Sequence, residues 1–174
     1  MLDFCAIDFE TANANRGSAC AVGLARVRDG VLVENIGGYI RPPDDLFWFD
    51  FANTRVHGLT EQHVLRAPDW RKALAKICEF VAEDQVFAHN AVFDWSVIAG
   101  ACEAERVPLP SWRIECSLRM ARELYPQVPS HRLTAMASLL GVPMGQHHSA
   151  VDDAAAAAAI VVAMRTAQQV AQGA

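Results

Sequence analysis

The pentapeptide Ile7-Asp8-Phe9-Glu10-Thr11 sets two acids inside an apolar run that begins at Leu2. From Leu2 to Phe9 both alternating faces are mostly apolar, the pattern of a short strand covered on two sides. Side chains two apart on a strand point the same way, their Cα atoms about 6.5 to 7 Å apart, so Asp8 and Glu10 converge on one place. Buried together, like charges repel and resist desolvation, and one takes up a proton unless a cation intervenes. A divalent metal is the simplest remedy. An edge strand carrying two solvated acids is the plainer reading, and these residues alone do not separate the two.

Further out, 174 residues with 52% apolar composition suffice for a substantial core, and a single domain over 1–174 is expected. The net charge of −5 argues against a broad basic surface of the kind that grips duplex nucleic acid. It does not exclude a nucleic-acid enzyme, since two bound divalent ions would take the total from −5 to −1 and make the site itself the attractive region. The five cysteines, Cys5, Cys20, Cys78, Cys102 and Cys116, are scattered and never spaced Cys-x-x-Cys, which fits small core residues in a reducing compartment rather than a disulfide framework or zinc ribbon. Met1-Leu2-Asp3 offers no basic signal region, and the longest apolar run, Ala154 to Met164, falls short of the roughly 20 residues that span a bilayer. A soluble, cytoplasmic protein without membrane contact is expected.

Along the chain, Cys20 to Arg28 reads as a strand, Asp29-Gly30 as a tight turn and Val31 to Ile40 as the antiparallel partner. With the acidic strand this gives three consecutive antiparallel strands at the start of an α/β domain. Residues 44 to 66, aromatic at Phe47, Trp48, Phe49 and Phe51 and then polar through His57, read as a loop serving either packing or the stacking of a base. A helix is expected from Pro68, with Trp70, Leu74, Ile77 and Val81 as its apolar stripe. Gln85 to Ala88 reads as a brief strand running into His89-Asn90-Ala91-Val92-Phe93-Asp94 and a helix that turns Phe93, Val97, Ile98 and Ala101 inward as far as Pro108. Asp94 falls in its first turn, where the helix dipole alone, worth about 0.3 to 1 kcal/mol, would account for an acid. Trp112 to Cys116 reads as a last short strand, and Ser117 to Leu124 and Leu133 to Leu140 as short helices, the second capped by Gly141. Six alanines after Asp153 mark a closing helix slim enough to lie against the sheet. Ser149 and Asp152 have the spacing of a capping box, which gives Asp152 a structural task and leaves Asp153 free.

Three segments belong together: Ile-Asp-Phe-Glu-Thr at 7–11, His-Asn-Ala-Val-Phe-Asp at 89–94, and the His-x-Ala-x-x-Asp run from His148 to Asp153, with Val-His-Gly-Leu-Thr at 56–60 in support. In these the chain resembles the DEDDh group of 3'-to-5' exonucleases, most closely the proofreading epsilon subunits of bacterial replicative polymerase and their free-standing relatives. The resemblance implies a ribonuclease H-like α/β fold: a mixed five-stranded sheet, its first three strands antiparallel, with helices on both faces. It implies two Mg²⁺ or Mn²⁺ ions held by Asp8, Glu10, Asp94 and Asp153, with His148 as the general base acting on the attacking water. An imidazole suits proton transfer near neutral pH, and paired hard cations suit phosphodiester cleavage. His147, one residue out of step with the motif, reads as a surface residue or as one standing behind the metal-binding acids.

Thr11, His57, His89, Asn90 and Phe93 fall where the family holds the terminal nucleotide. His89 and Asn90 fit a strand-to-helix corner equally well, with Asn90 as N-cap. The implied reaction is hydrolysis at 3' ends of single-stranded nucleic acid, DNA favoured and RNA possible, releasing nucleoside monophosphates. A non-catalytic module that binds nucleic-acid ends or another protein is the alternative. Two departures stand out. Ala12-Asn13 replaces the Thr-Gly that follows Thr11 in many relatives, and the chain stops soon after the last helix with no evident clamp-binding peptide, which points to an independent enzyme rather than a replicative subunit.

Overall fold

The computed structural model describes residues 2–173. Its sheet is built from β1 (Phe4–Thr11), β2 (Ala19–Arg28), β3 (Val31–Tyr39), β4 (Val86–Ala88) and β5 (Ile114–Cys116), in the order β3-β2-β1-β4-β5. β1–β2 and β2–β3 pair antiparallel, while β1–β4 and β4–β5 pair parallel. The acidic strand is therefore central, which rules out an edge strand with solvated acids. Asp29 and Gly30, at φ 50° and 76°, make the tight turn that pairs β2 with β3.

Seven helices lie on the sheet among the described residues: α1 (Phe51–His57), α2 (Glu61–Val64), α3 (Trp70–Val81), α4 (Ala91–Ala104), α5 (Ser117–Leu124), α6 (Leu133–Leu140) and α7 (Ala150–Gly173). Strand alternation divides the core between the two faces. Cys5, Ile7 and Phe9 of β1 pack with Trp70, Leu74, Ile77 and Val81 of α3 and Val97, Ile98 and Ala101 of α4. Phe4 and Ala6 pack on the other face with Met136 of α6 and the alanine run, Ile160 and Met164 of α7. Asp8 and Glu10 share the parity of Phe4 and Ala6, so they continue the face covered by α7.

The structure departs from the sequence pattern in four places. Residues 44 to 66 are not a plain loop: they form a 3₁₀ turn (Asp44–Leu46), α1 and α2. Their helical content is hidden because α1 is short, with no side-chain cap bond at Asp50. The helix after β4 ends at Ala104 rather than near Pro108. Asn90 occupies its N-cap position but sits at φ 75° and makes no capping bond. The Ser149–Asp152 capping box does not form, because Asp152 accepts instead from the backbone N–H of Gln146 at 2.9 Å. The predicted end cap at Gly141, φ 67°, is present.

Close approach of α7 to the sheet rests on glycines as well as alanines. Asp8, Gly23 and Gly37 stand in one row across β1, β2 and β3. A Cβ on Gly23 would run into the Ala150 carbonyl, and one on Gly37 into the Val151 side chain. Gly23→Ala is expected to push the first turn of α7 off the sheet, costing about 1 to 3 kcal/mol of stability and moving Asp153 away from β1. Thermal melts and oligonucleotide digestion on the same preparation check both effects.

Candidate active site

Local structure brings the four acids to the C-terminal ends of the parallel strands β1 and β4, where open α/β sheets form their ligand crevices. Asp8 and Glu10 come from one face of β1, and the pairing of β1 with β2 shifts register between Glu10 and Thr11, a bulge-like irregularity beside the site. Asp94 comes from the first turn of α4 and accepts the Phe9 N–H at 3.2 Å through Oδ1. Asp153 comes from the first turn of α7. Carboxylate oxygens of Asp8, Glu10 and Asp153 lie within 4.8 Å of one another. Asp94, Asp153 and Glu10 are buried.

No lysine or arginine forms an ion pair with any of these acids among the described residues. Their electrostatics follow. Burial pushes Glu10 up to about 8, with Asp153 and Asp94 adding to it. Burial likewise raises Asp94 to about 8, against the lowering effect of the Phe9 N–H. Asp8 is held well above the ordinary carboxylate range by burial first and then by Asp94, Glu10 and Asp153. A polypeptide that gathers four acids without a neutralising side chain has the donor set of a hard divalent cation: several carboxylate oxygens, negative in sum, converging from three elements. The residues fit such an ion.

The histidines divide differently from the sequence reading. His147, not His148, turns its ring onto Asp153, with Nδ1 at 3.1 and 3.2 Å from the two carboxylate oxygens. His148 stacks on that ring at 3.7 Å and donates its backbone N–H to Asp153 at 3.0 Å. Its φ of 67° is left-handed, a conformation sparsely used outside glycine that is found at constrained functional loops. His148 lines two cavities. One, of about 240 Å³, includes Asp8, Glu10, Phe93 and Asp153. The other, of about 460 Å³, includes Glu10, His57 and Tyr39. Burial and the neighbouring His147 lower the His148 pKa, and Asp153 opposes them.

Asp152 is set apart from the acids by its bond to Gln146, which ties down the loop leading to His147. Asp152→Asn is expected to keep most activity while lowering stability by up to about 1 kcal/mol. Loss of activity at an unchanged melting temperature would show that the wrong aspartate has been set aside.

The residues expected around the nucleotide fall at three depths. His89 and Phe93 line the smaller cavity, and the Arg16 guanidinium sits 4.5 Å over the Phe93 ring. His89 faces the His131 carbonyl through Nε2 at 2.9 Å and the Ser117 hydroxyl through Nδ1 at 3.0 Å. A carbonyl only accepts, so Nε2 carries the proton, and burial lowers the His89 pKa. His57 is held likewise: Nε2 donates to the Thr11 carbonyl at 3.1 Å and Nδ1 accepts the Leu59 N–H at 2.9 Å. Thr11 is buried, its hydroxyl accepting from Asn53 at 3.1 Å. Asn90 opens onto an adjoining polar concavity. Of the two readings of His147, the structure supports the one behind the acids. Asn53 and Gly23 are site-shaping residues that the sequence reading missed: Asn53 lies three residues ahead of the Val56–Thr60 segment, and the glycine's pairing with Asp8 could not be read from spacing.

A mixed sheet with acids from its central strand and two flanking helices defines the ribonuclease H-like class of nuclease folds. The family model described as Exonuclease (RNase_T) matches residues 5–161, and the chain belongs to that family. It is 29% identical over 145 residues to a PolC-type DNA polymerase III of Streptococcus thermophilus, covering 82% of this chain and 10% of the polymerase. The match with the Clostridium perfringens protein of the same name is 27% over 152 residues, 86% of this chain and 10% of that one. The chain thus spans about a tenth of the length of these relatives. Among solved structures, Exonuclease X in complex with 5' overhanging duplex DNA aligns with TM-score 0.77 and 22% identity, covering 95% of this chain and 93% of that one. The nuclease domain of 3'hExo, a DEDDh family member bound to rAMP, aligns with TM-score 0.79 and 19% identity, covering 96% and 92%. No helix among the described residues is long and apolar enough to cross a membrane.

Proposed function

We propose that the chain hydrolyses phosphodiester bonds at 3' ends of single-stranded nucleic acid, releasing nucleoside monophosphates, with two Mg²⁺ or Mn²⁺ ions held by Asp8, Glu10, Asp94 and Asp153. The observation that carries this is the convergence of three carboxylates within 4.8 Å, with Asp94 on the adjoining backbone and a histidine on the same cavity. Bound divalent ions supply charge stabilisation to the phosphate and leaving oxygen during in-line displacement. The chain's own groups do the rest. His148, on the wall shared by both cavities, takes the proton from the attacking water. Phe93 lines the cavity of about 240 Å³ in which a terminal base would lie, its ring already carrying the Arg16 guanidinium. His147 orients Asp153.

DNA is the favoured substrate, because the relatives matched in sequence are DNA polymerases. A solved neighbour that binds a histone mRNA stem-loop keeps RNA as the second reading. Digestion of matched 3'-labelled DNA and RNA oligomers in Mg²⁺ or Mn²⁺ is the test: release of labelled mononucleotide is expected, and binding of either oligomer with no turnover in either metal would favour a non-catalytic module. His148→Ala is expected to lower kcat by about 10² to 10⁴, whereas His147→Ala should act mainly through Asp153 and cost less. The reverse order, read from steady-state rates, would reassign the base to His147.

A further inference from the structure

Beside the acid cluster lies a concavity of about 680 Å³ walled by residues including His89, Asn90, Arg122, His131, Arg132 and His147. No aspartate or glutamate lines it, although acids outnumber lysines and arginines by 20 to 15 in the whole chain. Arg122 and Arg132 are both exposed, and neither guanidinium has an ion-pair or hydrogen-bond partner among the described residues. The wall is fixed rather than loose. His89 holds the His131 backbone carbonyl at 2.9 Å, and His131 in turn donates Nε2 to the Tyr125 carbonyl at 2.9 Å, so the segment between α5 and α6 is pinned to the corner after β4. His89, Leu133 and His147 line this concavity and the carboxylate cavity alike, so the two adjoin.

From this we infer that the concavity binds phosphates on the 5' side of the scissile bond, with Arg122 and Arg132 as the charged contacts. The inference rests on the nuclease reading above for the ligand's identity. A polyanion drawn to the acid cluster gains nothing there from side-chain cations, and unpaired guanidiniums on the adjoining wall supply the missing attraction. Paired hydrogen bonds from a planar guanidinium match phosphate oxygens, which a histidine-only wall would not do.

The test compares wild type with an Arg122→Gln/Arg132→Gln double variant on a single-stranded decamer and on a dinucleotide, whose one phosphodiester sits at the carboxylates. For the decamer KM is expected to rise about tenfold with kcat unchanged, and the slope of log KM against log salt to fall by about 1.4, two contacts at about 0.7 each. The dinucleotide KM should not move, and an Arg122→Lys/Arg132→Lys variant, which keeps the charge without the paired hydrogen bonds, should recover the salt slope but only part of the KM loss. Unchanged decamer KM and salt slope would overturn the inference, as would an equal rise for the dinucleotide. Fluorescence anisotropy of the labelled decamer in EDTA separates the two readings. A wild type that binds without cleaving in Mg²⁺ or Mn²⁺ refutes the nuclease reading alone, and the concavity is then judged by whether the double variant binds about tenfold more weakly.

Discussion

Asp153→Asn is expected to abolish 3'-end digestion while leaving the chain folded. The carboxylate faces Asp8 and Glu10 in the group of oxygens best placed for a cation, and the other acid on the first turn of α7, Asp152, is engaged with the Gln146 N–H instead. Asparagine keeps the shape and can still accept the His148 N–H, so the loop remains anchored. What is lost is one charge of the ligand set. A fall of at least about a thousandfold in kcat/KM is expected, on the order of 4 kcal/mol of transition-state stabilisation. Without metal the same change removes a like charge from a buried cluster, so the metal-free melting temperature should hold or rise. Mutations that cost a fold its function usually cost it stability as well, and the opposite sign here would mark an acid retained for chemistry.

The second large effect is on stability against pH. In metal-free protein Glu10 and Asp94 are raised to about 8 and Asp8 is raised as well, so the folded chain binds more protons than the unfolded one between about pH 4 and pH 8. Stability then falls as pH rises through that window, because the unfolded carboxyls ionise freely while the buried ones cannot. The raised cluster therefore leaves the metal-free fold less stable at pH 8 than at pH 4. A divalent ion that binds only the folded, ionised cluster reverses this. Saturating Mg²⁺ or Mn²⁺ should restore the lost stability and flatten the profile, with the largest gain at the alkaline end. Urea melts in EDTA and in Mn²⁺ from pH 5 to 8 check the sign. Stability rising with pH in EDTA would mean that the acids are solvated or paired.

The fold was readable where periodicity was strong. The Asp29-Gly30 turn, the stripe of Trp70, Leu74, Ile77 and Val81, and the alanine run each specify a local structure with few competitors, and each is present. Residues 44 to 66 were not, since the aromatic run there masks a seven-residue and a four-residue helix with too little period to register. At the site, the two acids of β1 follow from the two-residue period of a strand, but their meeting with Asp94 and Asp153 is a tertiary fact carried only by motif resemblance. The sequence assigned Asp152 to a capping box, a local bond, and the fold gave it a longer reach to Gln146. Neighbouring histidines are equally indistinct in sequence. One left-handed residue, His148 at φ 67°, decides which ring meets Asp153, and no local pattern announces that angle. Gly23 belongs to the same kind: its role exists only because Asp8 is its partner across the ladder and α7 passes overhead.

If Asp8, Glu10, Asp94 and Asp153 together hold a pair of divalent ions, anomalous diffraction from a crystal soaked in Mn²⁺ should show two peaks about 3.5 to 4 Å apart, both bounded by oxygens of these carboxylates. Manganese density elsewhere on the chain, or none with the four acids still gathered at the end of β1, would show that they do not.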